Sequence, residues 1–442
     1  MLMEELADFE SRQASLRAFL QEKPKNGKAM AQLASLLADQ AKLLPGTDDG
    51  DKLLAEAISL SRRAIQVAPQ KLFGYASLSF ASLDYKERME ALEKAITLSE
   101  EHLLARIGFL IRLLIEPRGE EGKQVRNRIG SASKEHPSKR EINAEESKLY
   151  QRIEDALEEA WSNETELTAA QVEFLSKHEY RLGTFFRKIC PKEVQQPRAR
   201  KHLQRSQKYP TTKSETATFW LATMGDDAIV TKCPADYIVS LYSTFAERFD
   251  ELLVEKLNYQ TPTKLRQLLD ATVDTSTQKW NRAADLGCGT GLSGLAFRST
   301  VQHMMGVDLS PEMIEKAEER KCYEELVVGD VTSVLGQEEV YDLVFACDVF
   351  VYIGALEEVF LGVQKSLSSG GLFCFSTEFM DESLHGERPY ILQACARFAH
   401  KKTYLEKLSA AAGFDFVRLE ICPIRKNEGV DVTGMLVILR KS

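Results

Sequence analysis

Short apolar runs that close on an acid recur through the second half of this chain. Met304 to Val307 ends at Asp308, and Leu326 to Val328, followed by Gly329, ends at Asp330. An earlier strand-like stretch runs into Ala284-Asp285-Leu286 and stops at Gly287-Cys288-Gly289-Thr290-Gly291. Runs of this length bounded by turn residues predict buried strands of an α/β sheet. After Asp308, Ser310 predicts a helix N-cap, with Pro311 at the first helical position and Glu312 and Glu315 in the opening turns. The first half carries a different pattern. Ala57 to Pro69 overlays Arg88 to Glu100 with Ala64 on Ala95, a shift of 31 residues. Helices are expected before each copy, at Ala29 to Leu43 and Phe73 to Leu83, and after them at Glu101 to Leu114 and Ile142 to Trp161. An unrelated bundle of helical hairpins fits these segments as well.

The glycine run carries the most chemistry. Alternate glycines let the chain turn tightly and let a ligand approach bare backbone, as in the nucleotide-binding turn of an α/β domain. A dinucleotide pattern is present at Gly289, Gly291 and Gly294, but Asp285 stands just before the first glycine, where a carboxylate would repel a pyrophosphate. S-adenosylmethionine has no phosphate, and its ammonium group suits a neighbouring acid. Asp308 at the second strand tip is placed to hold a ribose diol, with Leu309 beside the nucleoside. Asp330 at the third would accept from an adenine amino group, and Val331 would offer a backbone N–H to the ring. Each aspartate taken singly also reads as a helix cap.

With these motifs, residues 236 to 442 resemble the class I S-adenosylmethionine-dependent methyltransferases. The resemblance implies a Rossmann-like, seven-stranded α/β sheet. Tyr341 to Ile353 is similar to the fourth strand and the loop between cofactor and substrate, which implies Asp348 as a further cofactor-binding residue with Tyr352 nearby, and Gly370-Gly371 with Leu372 to Ser376 is similar to the turn into strand five. Phe416 to Ile421 and Gly434 to Leu439 are similar to the closing antiparallel hairpin. Tyr242 to Asp250 resembles a segment whose aromatic pair, here Tyr242 and Phe249, covers the methionine end of the cofactor. The family commonly has phenylalanine and tyrosine in the opposite order. The combination of Tyr242 to Asp250, Asp348 to Ile353 and Arg397 to His400 is similar to a subfamily with tetratricopeptide repeats ahead of the catalytic domain. Such repeats are about 34 residues long, with a small residue where helices cross and a terminal proline. Ala57, Ala64 and Pro69 fit, and the second copy lacks the proline. The implied organisation is an all-α repeat domain over residues 1 to 180, a basic linker and connecting helix over 181 to 235, and the methyltransferase domain over 236 to 442.

Length agrees, since 442 residues with 44% hydrophobic content are enough for two or three cores. The net charge of −9 argues against nucleic acid as a partner of the whole chain. Between Arg187 and Lys213, however, nine lysines and arginines accompany the single acid Glu193, which predicts a solvated linker or else a strip for an anionic partner. Eight scattered cysteines without a paired spacing predict a reducing, cytoplasmic setting and no metal site, and Cys288 and Cys347 read as packing residues. The acidic N-terminus predicts neither a secretory signal nor a transit peptide, and no apolar run reaches bilayer length.

Methyl transfer needs chiefly a nucleophile held about 3 Å away and in line. His400 is the expected proton acceptor, and Arg397, three residues earlier and expected on the same helical face, would hold a carboxylate or phosphate. Tyr352 is a further candidate. Surface roles for the first two and packing for the third are equal alternatives. The expected activity is transfer to an O or N acceptor, an acidic small molecule in the first reading, a protein docked on the repeats in the second. A third reading is a non-catalytic scaffold that binds the cofactor.

Overall fold

The computed structural model describes residues 2–44, 47–99, 102–115, 144–162, 164–189, 192–243, 259–273, 279–336, 340–427 and 429–442. The chain divides into two units, Met1–Ser214 and Glu215–Ser442.

The first unit is helical: α1 (Leu2–Glu22), α2 (Gly27–Ala41), α3 (Asp48–Val67), α4 (Leu72–Ala81), α5 (Tyr85–Thr97), α6 (Leu103–Ile115), α7 (Ala144–Ser162), α8 (Ala169–Ile189) and α9 (Lys192–Gln207). The starts are set by side-chain caps. Asn26 accepts from the Ala29 N–H, Thr47 from Gly50 and Asp84 from Glu87. The helices expected before, within and after the two overlaid segments are α2 to α7. Ala57, Ala64 and Ala95 are fully buried. α2 packs against both α3 and α4, and α4 against α5. A Cβ on Gly74 would lie 2.9 Å from the Ile65 nitrogen, so α4 meets α3 at backbone distance.

The basic stretch read as a linker forms α9, which packs on α8 and buries Ala199, His202, Leu203 and Ser206. Its basic side chains meet acids from earlier helices: Lys201 pairs with Glu154 and Arg205 with Glu158, and the His202 Nδ1 lies 2.5 Å from Glu179. Composition hid this because the partners lie tens of residues upstream.

The second unit opens with α10 (Ser214–Thr223), α11 (Ala235–Ser243) and α12 (Thr261–Asp270). There follow β1 (Trp280–Leu286), α13 (Leu292–Phe297), β2 (Val301–Asp308), α14 (Pro311–Glu319), β3 (Glu325–Val328), β4 (Tyr341–Ala346), α15 (Glu357–Ser366), β5 (Leu367–Met380), β6 (Tyr390–Leu392), β7 (Phe398–Lys401), α16 (Lys402–Ala411), β8 (Phe414–Asn427) and β9 (Val430–Lys441). β3-β2-β1-β4-β5 is a parallel series, and β9 adds antiparallel to β5 and β8 to β9. Among the described residues the sheet has nine strands rather than the expected seven. β4 leaves β5 at Phe375, and β7 takes the same edge at Glu378 to Met380, with β6 antiparallel to it. The extra pair exists because β5 runs 14 residues and outlasts its neighbour.

Both faces of the sheet are covered, as parallel strands require. Phe350, Phe360, Phe373, Phe375 and Phe414 fill one face. Leu265, Leu269, Trp280, Phe297 and Phe345 fill the other, where the Phe297 and Phe345 rings stack 4.2 Å apart.

Candidate functional site

The glycine turn leaves β1 with a backbone that only glycine takes readily. Gly287 has φ +67°, and a Cβ there would come within 2.5 Å of Val349 Cγ2. Gly289, at φ +52°, donates its N–H to Asp308 Oδ2 at 2.9 Å, while its Cβ direction meets nothing within 4 Å. One side of the turn is therefore open for a ligand. The other oxygen of Asp308 accepts from the Ser310 N–H at 2.9 Å. Asp308 thus ties the tip of β2 to the turn after β1. Burial raises its pKa, and the backbone N–H groups of Ser310, Gly289 and Leu309 oppose that rise. Each oxygen keeps a further lone pair, and Leu309 is half-buried beside it.

Asp285 is fully buried. Its Oδ2 accepts from the hydroxyls of Ser293 and Tyr323, both at 2.6 Å, and its Oδ1 has no partner among the described residues. Burial pushes this carboxyl up to about 7, partly offset by the two hydroxyls and reinforced by Asp308. A buried carboxylate oxygen without a donor, beside an open glycine, fits the ammonium end of S-adenosylmethionine.

Asp330 caps a short 3-10 turn that starts at Val331. Its Oδ1 accepts from the Thr332 N–H at 3.0 Å and hydroxyl at 2.9 Å, and its Oδ2 pairs with Lys232. Burial acts to raise its pKa, but Lys232 and Thr332 outweigh that and hold it below the usual carboxylate value. The carboxylate expected to face adenine is thus already engaged, with the Lys232 ammonium beside it. The chain around Lys232 also fixes the loop after β4. Thr231 O accepts from Gly354 N at 2.7 Å and Ala355 N at 3.0 Å, and Cys233 N donates to Tyr352 O at 2.8 Å.

Past the tips of β4 and β5 the site is built from side chains. Tyr242 and Tyr352 share a hydrogen bond of 2.7 Å between their hydroxyls. The Arg397 guanidinium lies 5.8 Å from the Tyr352 ring centroid and 3.9 Å from Glu378 Oε1. Glu378, 4% exposed, also takes Arg425 on Oε1 and Gln393 Nε2 on Oε2 at 2.6 Å. Asp348 Oδ2 is 3.5 Å from Arg425 Nε, and its Oδ1 is buried without a partner among the described residues. Asp348 adopts φ +61° and donates its N–H to Ser376 Oγ at 2.8 Å. Phe249, the expected partner of Tyr242, lies outside the described residues.

The expectation for His400 is corrected. Arg397 sits just before β7 and His400 within it rather than on a helix, so along this extended chain an offset of three puts them on opposite faces. His400 is fully buried, with Nε2 3.0 Å from both Ile353 O and Gly354 O and Nδ1 2.5 Å from Thr377 Oγ1. Two carbonyl acceptors require the proton on Nε2, and Nδ1 then accepts from the threonine. Burial lowers its pKa to about 4 against the two carbonyl bonds. With no lone pair left for a substrate, this imidazole clamps the loop after β4.

Lys232, Ser293, Tyr323, Glu378 and Arg425 were not anticipated. For Glu378 a signal existed: it is a lone charge inside a strand-forming run, and such a charge is buried only with a partner. No group of metal ligands is present among the described residues.

Residues 284–375 match the family model described as a methyltransferase domain. The chain is 29% identical over 143 residues to phosphoethanolamine N-methyltransferase 1 of Triticum aestivum, covering 31% of this chain and 29% of that protein. It is 25% identical over 143 residues to malonyl-[acyl-carrier protein] O-methyltransferase of Serratia marcescens, covering 28% and 56%. A third relative is the 18S rRNA (guanine-N(7))-methyltransferase of Bos taurus, 27% identical over 132 residues, covering 29% and 44%. The chain therefore spans less than two thirds of the length of each of these relatives.

Proposed function

We propose that this chain, whose residues 284–375 form a methyltransferase domain with S-adenosylmethionine as its cofactor, transfers a methyl group to an O or N acceptor that is an acidic small molecule. The observation that carries the cofactor half is the buried Asp285 Oδ1, which has no donor among the described residues and precedes the glycine turn whose Gly289 is open on one side. When bound, S-adenosylmethionine supplies a methyl group already activated on a cationic sulfur. The chain binds and orients. Asp285 receives the ammonium group, Asp308 takes the ribose hydroxyls with its remaining lone pairs, and Val331 and Asp330 face the base. Tyr242 and Tyr352 form an aromatic wall, and Arg397 holds the anionic group of the acceptor. The three relatives carry nitrogen, oxygen and rRNA acceptors in their names, so family membership leaves the acceptor to the side chains past β4.

In this reading α2 to α5 are two degenerate tetratricopeptide units, supported by the buried Ala64 and Ala95 and by the backbone approach at Gly74. The protein works in the cytoplasm, in keeping with its free thiols. Calorimetric titration of the full-length protein with S-adenosylmethionine, NAD and NADP tests the assignment. Saturable binding of the first alone is expected, and binding of a dinucleotide instead overturns it.

A further inference from the structure

Two buried carboxylate oxygens at the row of strand tips have no donor among the described residues, Asp285 Oδ1 after β1 and Asp348 Oδ1 after β4. The cofactor assignment above, on which this inference rests, brings one ammonium group for them. Asp285 adjoins the glycine turn and takes it. Asp348, which the resemblance implies as a further cofactor contact, is left on this assignment without a cofactor ammonium of its own, yet it is held firmly. Its positive φ is a conformation that persists only where the surroundings dictate it, and here the Ser376 hydroxyl and Arg425 do so.

Arg397 presents the complementary group. Its guanidinium makes no hydrogen bond among the described residues, and Glu378, 3.9 Å away, is already engaged by Arg425 and Gln393. Its side chain is 26% exposed, so its planar fork remains within reach of a carboxylate. A hydrogen-bond acceptor and a carboxylate-binding fork thus stand past the tip of β4 and at the start of β7, with the face of Tyr352 beneath Arg397.

We propose that Asp348 and Arg397 form the acceptor subsite, and that it takes an amino acid or hydroxy acid: the proton-bearing nitrogen or oxygen on Asp348 Oδ1, the carboxylate on Arg397. The shared chemistry is a protic nucleophile joined to a carboxylate. A plain carboxylate leaves Asp348 unsatisfied, and a plain amine leaves Arg397 so.

The test uses the full-length protein saturated with S-adenosylhomocysteine. It is titrated calorimetrically with unbranched amino acids from glycine to 6-aminohexanoate, their hydroxy-acid counterparts, and the same chains bearing only the carboxylate or only the amine. A bifunctional probe is expected to bind at least about tenfold tighter than its monofunctional counterparts, equivalent to about 1.4 kcal/mol. Which series wins identifies the acceptor atom. Asp348→Asn, isosteric and tolerant of positive φ, is expected to erase that advantage while keeping S-adenosylhomocysteine affinity within about twofold; Asp285→Asn is expected to weaken S-adenosylhomocysteine by about tenfold or more. Arg397→Lys, which keeps the charge and loses the fork, is expected to retain part of the advantage. No preference for bifunctional probes, or an Asp348→Asn protein that loses S-adenosylhomocysteine as Asp285→Asn does, overturns the proposal. A wild-type protein that fails to bind S-adenosylhomocysteine at all overturns the cofactor assignment beneath it, and the inference with it.

Discussion

The tips of β1 and β2 and the tips of β4 and β5 all carry buried or half-buried carboxylates, but the two pairs are held by different donors. Asp308 is fixed by main-chain N–H groups of Gly289 and Ser310, and the turn that supplies them is itself fixed by glycines at positive φ. Asp348 and Glu378 are met instead by the guanidinium of Arg425, which arrives from β8, with Arg397 nearby. The first arrangement depends on backbone path and tolerates little change. The second depends on side-chain identity, so on the proposed reading substitutions there should alter the acceptor one residue at a time while leaving the cofactor half intact.

That contrast can be broken or sharpened by substitution. The largest effect is expected from Arg425→Met, which leaves Glu378 buried without its closest cation. Stability should fall by about 3–5 kcal/mol in urea unfolding, with S-adenosylhomocysteine affinity of the folded protein within about threefold of wild type. A neutral outcome would mean that charge pairing does not hold the β4–β5 side. Asp308→Ala should do the reverse, weakening S-adenosylhomocysteine by about 30-fold, or about 2 kcal/mol, in calorimetry.

Asp285 separates the two sides by pH. The folded, cofactor-free chain keeps its proton up to about 7, whereas an unfolded carboxyl has lost it near about 4. The folded state therefore binds more protons within that window, and this group's contribution makes the cofactor-free protein more stable as pH falls from about 7 toward about 4. Asp285→Asn should flatten that part of a pH series of thermal midpoints. Cofactor affinity should run the other way and weaken below about pH 7, because the ammonium needs the carboxylate. The smallest effect is expected from Lys232→Met: the ion pair with Asp330 is part-exposed, so cofactor affinity should move by less than about 1 kcal/mol.

The same division decided what could be read in advance. Asp285, the glycines and Asp308 sit within 24 positions, and their spacing alone places them on one turn and the next strand tip. Residues 348, 378, 393, 397 and 425 meet only because β5 outlasts β4 and admits β7 on the vacated edge, and no local pattern encodes that register. His400 was misread for the same cause. Its ionisable ring drew attention, but the three oxygens that enclose it come from residues 353, 354 and 377. In the first unit the helices themselves were legible from the overlay of residues 57–69 on 88–100, and the fate of the basic stretch was not.

The antiparallel contact of residues 231–233 with the loop after β4 bears on where this polypeptide can be dissected. A fragment begun at Asp236, the boundary suggested by the sequence, keeps every strand and the whole glycine turn. It discards Thr231 O and Cys233 N, which between them make three main-chain bonds to Tyr352, Gly354 and Ala355, and it discards Lys232 as well. Such an excised sheet would keep its glycine turn and lose part of the bracing on the loop after β4, which would then rest on side chains such as His400 and Ser376. The shortest self-sufficient piece of the second unit therefore starts upstream of Thr231.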